Sequence, residues 1–264
     1  MTEIVSLASS SSGNATLLRH NGLNILIDAG LSAKRICEGL SCFSIDADCL
    51  HAVFVTHEHR DHTAGLPVLL KNRDIPIYTS FGTHGSLGAM LRDDQQYCLY
   101  QAGETFSLCG DLQVTTFKTP HDTPESNGFL FDTGHKKIAY ATDLGYLSEA
   151  NAALLAGSDI VMMEANYDRD MLFEGSYPYM LKQRISGLRG HQDNRDCADA
   201  LVPLIEQGAT QVMLMHLSRE NNHMQVAMQT ACDILDAAGI VAGRDLRLST
   251  APYDTPCEVL VCSG

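Results

Sequence analysis

Residues Val55–Gly65, VTHEHRDHTAG, place three histidines and two acids within the six positions from His57 to His62. The chain has only 11 histidines among 264 residues. A solvated polar turn would be served equally by Glu, Lys or Ser, so imidazole at this density points to coordination of a cation. The run HAVFVTH just before it is apolar and β-branched and reads as a buried strand ending at His57. On extended backbone, side chains two apart face the same way, which lets His57 and His59 share one ion. Asp61 and His62 fall where the pattern turns helical, and that change of direction aims a carboxylate and an imidazole at a second position beside the first.

Composition fixes the class of molecule around this motif. With 45% apolar residues the chain can bury a core, and it has no run of about 18 apolar residues and no basic-then-apolar leader at MTEIVSLASSSSGN. A cytoplasmic protein that does not enter a membrane is therefore expected. Nine scattered cysteines without a Cys-x-x-Cys pair read as reduced and mostly buried. The excess of 32 acidic over 18 basic residues disfavours indiscriminate nucleic-acid binding, while leaving room for a local basic groove or a cation site.

Short strand-like runs occur in both halves: EIVSLAS, NATLLRH, LNILIDAG, HAVFVTH and IPIYTS, then NGFLFDTG, KKIAYATD, IVMMEAN, QVMLMHLS and CEVLVC. Between them SAKRICEGL, HTAGLPVLLKN, SEANAALLAG, NRDCADALVPLIEQG and NNHMQVAMQTACDILDAAG show helical spacing. No Pro-, Ser- or charge-rich linker divides the chain, so a single domain over residues 1–264 is expected. Its class is α/β: two sheets face to face with helices outside, a four-layer αββα sandwich.

Further ligands for a metal site should stand at strand ends, where loops gather. His121 follows a strand in FKTPHDTPES, Asp143 ends the apolar run IAYATD, and His216 ends QVMLMH. Each alone is an ordinary strand-end polar residue. Together with the first motif they make a histidine and carboxylate set suited to two divalent ions, zinc or manganese.

His-x-His-x-Asp-His followed by a lone His, an Asp and a His resembles the metallo-β-lactamase superfamily over residues 3 to about 218. The resemblance implies that His57, His59 and His121 hold one metal, that Asp61, His62 and His216 hold the second, and that Asp143 bridges them. It also implies that Asp28 of LIDAG supports the metal loop. The opening SSSSGNATLL and the late HLSRENN are similar to the YycJ branch, whose members are assigned to DNA or phosphodiester hydrolysis. Glu164 of VMMEAN and His191 of LRGHQDN resemble the acid-base pair of the tRNA 3′-processing endonucleases, although Gln192 and Asp193 depart from that pattern.

The implied activity is hydrolysis of a phosphodiester by a dinuclear metal centre, with nucleic acid, DNA (5′-exonuclease-like) or RNA, as the partner. Asp61, Asp143, Glu164 and His191 would be its catalytic residues. Ser12 and Asn14 of the serine loop, and Arg184 and Arg189 of MLKQRISGLRGHQDNR, would contact phosphate. A thioesterase or lactonase would use the same metals and leave Glu164 and His191 idle. A non-catalytic binding module stabilised by its metals is the other alternative.

Overall fold

In the computed structural model, which describes residues 2–262, the apolar runs at the start of the chain become a seven-stranded mixed sheet. Strands β1 (Thr2–Ala8), β2 (Ala15–His20) and β3 (Leu23–Ile27) form an antiparallel meander. Strands β4 (Ala52–Phe54), β5 (Ile77–Ser80) and β6 (Tyr97–Tyr100) extend it in parallel from β3. The C-terminal strand Leu260–Cys262 closes the other edge, antiparallel to β1. Parallel strands need crossovers, and helices α1 (Ala33–Ser41), α2 (Arg60–Thr63), α3 (Leu66–Leu69) and α4 (Phe81–Leu87) lie within them. Ser32 starts α1 by accepting a hydrogen bond from the Arg35 amide.

One face of this sheet, with Val5, Leu7, Leu17, Leu26 and Val53, packs with Ile36 and Leu40 of α1 and Leu66 and Leu69 of α3 in one apolar cluster. Each such aliphatic side chain contributes on the order of 1.5–3 kcal/mol on burial. The alternate positions Ile4, Leu18, Ile25, Ile27 and Phe54 are equally buried. The strands therefore read as continuous apolar runs rather than alternating ones.

A second seven-stranded sheet comprises β7 (Thr105–Cys109), β8 (Leu112–Thr119), β9 (Ser126–Asp132), β10 (Lys137–Ala141), β11 (Ile160–Glu164), β12 (Gln211–Met215) and β13 (Arg247–Thr250), in the order β13-β12-β11-β10-β9-β8-β7. The stretch from β10 to β13 is parallel, and β9 meets β10 antiparallel. Helices α5 (Glu149–Leu155), α6 (Arg169–Glu174), α7 (Tyr179–Ile185), α8 (Asn194–Glu206) and α9 (Met224–Ala237) occupy the intervening connections. The chain forms two compact units, one built from the residues up to Glu104 with Thr123–Asn127 and the stretch from Pro252, the other from Thr105–Asp122 and Gly128–Ala251.

Three local expectations are corrected. Strand β4 ends at Phe54, so His57 and His59 stand on irregular backbone rather than at alternate positions of a strand. HTAGLPVLLKN is two short helices broken at Gly65, whose amide bonds back to the Ala29 carbonyl and whose absent Cβ would sit 2.1 Å from the Leu31 carbonyl oxygen. Among the eight cysteines with described side chains none forms a disulfide, but only Cys197 is buried, while Cys42, Cys49 and Cys109 are exposed at a helix end, a 3-10 turn and an edge strand. No described helix is long and apolar enough to cross a membrane.

Candidate metal-ligating clusters

In the first unit the histidine loop is held from behind by one buried carboxylate. Asp28 adopts φ 61°, a left-handed conformation uncommon outside glycine, and its amide donates to the Phe54 carbonyl at 2.8 Å. That turn places Oδ1 2.9 Å from the Thr56 amide, Oδ2 2.9 Å from Thr56 Oγ1, and Oδ2 2.7 Å from His62 Nδ1. Thr56 Oγ1 in turn lies 3.0 Å from His57 Nδ1. Burial is the largest influence on Asp28 and pushes its carboxyl above the ordinary range against the pull of His62. The rings of His59 and His62 stand 4.7 Å and 4.2 Å from that of His57, centroid to centroid.

The serine loop is tied to the same motif. Asn14 donates its amide to the Asp61 carbonyl at 2.8 Å, and its side chain bonds Ser9, Ser10 and, at 3.2 Å, His62 Nε2. Ser12 is exposed. Gly30 makes this approach possible: a Cβ there would lie 1.6 Å from the Asp61 carbonyl oxygen and 2.7 Å from the Asn14 nitrogen. Gly30→Ala should therefore cost about 3 kcal/mol or more in denaturant unfolding. Gly85→Ala, where the new Cβ meets nothing within 4 Å on helix α4, should be neutral or stabilising by up to about 1 kcal/mol. Equal stability of the two variants would mean that the Asp61 backbone does not depend on Gly30.

In the second unit four side chains converge from four strand ends. Asp143 and His216, just beyond β10 and β12, both have φ 56°. With Asp28 they make three candidate site residues among the five non-glycine residues of positive φ in the described chain. Such strain is tolerated where surrounding bonds fix it. Asp143 Oδ1 lies 3.7 Å from His121 Nε2 and 3.7 Å from His216 Nε2. His121 Nδ1 faces the Gly190 carbonyl at 2.9 Å, and burial lowers its pKa, favouring the neutral ring that binds metals.

Glu164 ends β11 fully buried. Its Oε2 accepts from the Leu144 amide at 2.9 Å and the Gln192 amide at 3.4 Å, and its Oε1 accepts from both His191 Nδ1 and His216 Nδ1 at 2.7 Å. Burial alone would raise this carboxyl, but the two imidazoles outweigh it and hold the pKa well below the usual range. Burial likewise works to lower His191, and Glu164 reverses the sign so that its pKa is raised. Ligand atoms of Asp143, Glu164, His191 and His216 all lie within 4.8 Å of one another. The sequence reading of Glu164 as a partner of His191 thus omits half of its work, because the same oxygen also orients His216.

The donor chemistry suits metal ions. Nδ1 of His57, His62, His121 and His216 is engaged by Thr56, Asp28, the Gly190 carbonyl and Glu164. Fixing Nδ1 in this way leaves Nε2 of His57, His121 and His216 as the nitrogen a metal would take, the usual outer-shell arrangement around a ligated histidine, whereas Nε2 of His62 meets the Asn14 side chain.

The departure at Gln192 and Asp193 has a structural meaning. Asp193 is the N-cap of α8, accepting from the Arg195 and Asp196 amides at 2.8 and 2.9 Å, a role Ser or Thr also fills. The two arginines read as phosphate contacts are anchored within the unit: Arg184 meets Asp122 at 2.5 Å, and Arg189 Nε donates to the His121 carbonyl at 3.0 Å. His223 is exposed, and its neighbour Asn222 is the residue that points inward. Asn222 exchanges amide hydrogen bonds with Asn194 and reaches the Ala165 and Asn166 carbonyls, while Asn166 Nδ2 donates to the His216 carbonyl at 2.7 Å. These asparagines and Thr56 are missed from sequence, since no spacing rule marks a polar side chain whose partners come from distant segments.

Comparison with known proteins agrees with this picture. The β-lactamase superfamily domain family matches residues 23–217. Exodeoxyribonuclease YycJ of Bacillus anthracis is 30% identical over 256 residues, 96% of each chain. Exodeoxyribonuclease WalJ of Streptococcus pneumoniae is 33% identical over 255 residues, 94% of each chain. Among solved structures the metallo-β-lactamase fold protein YhfI from Bacillus subtilis superposes with TM-score 0.74 at 14% identity, covering 97% of this chain and 98% of its own. With its two mixed sheets, its helical crossovers and its His-x-His-x-Asp-His loop, this chain belongs to the metallo-β-lactamase superfamily.

Proposed function

We propose that residues 1–264 form one hydrolase domain that cleaves phosphodiester bonds in nucleic acid, DNA foremost, with two divalent ions, Zn²⁺ or Mn²⁺. The observation that carries this reading is the Glu164–His191 pair beside Asp143 and His216: an imidazole with its Nδ1 fixed on a buried carboxylate is what an alkoxide leaving group requires, and the thiolate of a thioester would not need it. The two exodeoxyribonucleases that align with 94–96% of the chain support the same substrate class.

In this reading the ions would be held by His57, His59, Asp61 and His62 of the first unit and by His121, Asp143 and His216 of the second. When bound, such a pair lowers the pKa of water toward ~7 and neutralises charge on the phosphate oxygens. The protein's own groups do the rest. Asp28, Thr56 and Glu164 orient the ligand imidazoles. Asp61 and Asp143 would be the carboxylates that orient the attacking water. His191 delivers a proton to the departing oxygen. Arg184 and Arg189 flank His121 and contact phosphates, and the exposed Ser12 of the serine loop does so on the first unit, where Asn14, expected to share that role, is buried and holds the loop to Asp61 and His62.

Purified protein should turn over bis(p-nitrophenyl) phosphate and end-labelled DNA with Zn²⁺ or Mn²⁺ and leave a thioester intact; turnover of the thioester alone overturns the reading. Elemental analysis of the saturated protein should give two ions per chain, because seven ligands exceed what one tetrahedral ion uses. Full activity with a single bound ion at saturation would remove the dinuclear centre.

A further inference from the structure

Helix α7 is unusual in burying none of its residues. Five of the nine exposed large apolar side chains of the described chain are Tyr146, Phe173, Tyr179, Met180 and Leu188, and Tyr179, Met180 and Leu188 keep 67%, 74% and 76% of their surface exposed. Tyr179, Met180 and Leu188 thus stand outside the core within ten residues of one another. Residues 175–192 contain Lys182, Arg184 and Arg189 and no acid, in a chain of net charge −14.

The cations are held in place. Lys182 Nζ donates to the Phe173 and Gly175 carbonyls at 2.7 Å, Arg189 to the His121 carbonyl, and Arg184 meets Asp122 while remaining 59% exposed. This segment also leads straight to the candidate active residues. The His191 amide closes on the Ile185 carbonyl at 2.8 Å, and a Cβ on Gly145, two residues after Asp143, would lie 2.4 Å from the Leu188 carbonyl oxygen.

We propose that Tyr179, Met180 and Leu188 form a stacking platform for the unpaired bases of a single-stranded nucleic acid, with Lys182, Arg184 and Arg189 following its phosphates toward His191. This deepens the nuclease reading and rests on it. A duplex keeps its bases stacked inside and offers phosphates outward, so it has nothing to set against a tyrosine ring, a thioether and a leucine. Unpaired bases do, and base-aromatic stacking tolerates any sequence.

The test measures kcat and KM of full-length wild type, Tyr179→Ala, Tyr179→Phe and the Met180→Ala/Leu188→Ala pair on single-stranded oligodeoxythymidylate, a blunt duplex and bis(p-nitrophenyl) phosphate. Fluorescence anisotropy of the labelled oligonucleotides and sedimentation are run alongside. One lost stack raises KM and Kd for the single strand by about 5- to 150-fold. Tyr179→Phe, which gives up the 2.6 Å bond from Gln183 but keeps the ring, restores wild-type values to within about twofold. The duplex and the small diester respond by less than about twofold.

Equal losses on single strand and duplex, or no loss on either, overturn the platform. So does a change from dimer to monomer in the Tyr179→Ala protein, which assigns the face to a second copy. If wild type hydrolyses the small diester but no nucleic acid, the nuclease reading fails by itself, and the anisotropy arm still decides the platform.

Discussion

Glu164→Ala should remove more activity than loss of His191 alone, lower the metal content below that of wild type, and destabilise the protein by about 3–5 kcal/mol. The side chain is fully buried, and its two oxygens accept from the amides of Leu144 and Gln192 and from the imidazoles of His191 and His216. Removing a buried carboxylate leaves those donors in a space water does not readily fill, and each orphaned group carries its own desolvation cost. The effect on metal follows from His216. Its Nδ1 rests on Glu164 Oε1, and its backbone is held at φ 56°, so loss of that acceptor frees the ring to turn. Sequence reading alone, which sees Glu164 only as the partner of His191, gives no reason for metal to be lost. Elemental analysis of the dialysed variant, DNA cleavage rates and urea unfolding measure the three effects. Wild-type metal content together with a rate loss no greater than that of His191→Ala would show that Asn166 and the backbone suffice to hold His216.

What could be read from the sequence was whatever is local along the chain. His57, His59, Asp61 and His62 lie within six positions, so their shared purpose is visible without a fold, and strand-end positions for His121, Asp143 and His216 follow from apolar runs that stop at a polar residue. The meander followed by parallel strands was legible too, since both the short runs and their helical spacers are punctuated by Gly, Asn and Asp. What stayed hidden depends on approach between distant segments. Glu164 meets His191 and His216 from 27 and 52 residues away, and Asn222 reaches Asn194 across 28. Helix α7 was not readable as a separate element because YMLKQRI has no buried stripe to produce a period. The exposed cysteines were misjudged for a related reason: cysteine is usually buried, but helix ends and an edge strand offer no second layer to bury it.

His191→Ala should separate leaving-group chemistry from everything else the site does. Cleavage of a nucleic-acid phosphodiester expels a sugar alkoxide, which needs a proton in the transition state, whereas nitrophenolate leaves readily without one. His191 is placed to give that proton: its Nδ1 is fixed on Glu164 at 2.7 Å, its side chain is 20% exposed, and its ring stands 5.0 Å from that of His121 and 5.4 Å from that of His216. Loss of a general acid costs about 10²- to 10⁴-fold, so DNA cleavage should slow by that factor while bis(p-nitrophenyl) phosphate hydrolysis slows far less. Metal content should remain at the wild-type value, since Glu164 still accepts from His216 in this variant, and that retention distinguishes it from Glu164→Ala. Equal losses on the two substrates would deny His191 the proton-donor role. Loss of an ion would move it into the ligand set, alongside the Asp143 and His216 atoms it adjoins. Undiminished DNA cleavage would leave it an ordinary loop residue before α8, and the reading of this site as a nuclease would then stand on its relatives alone.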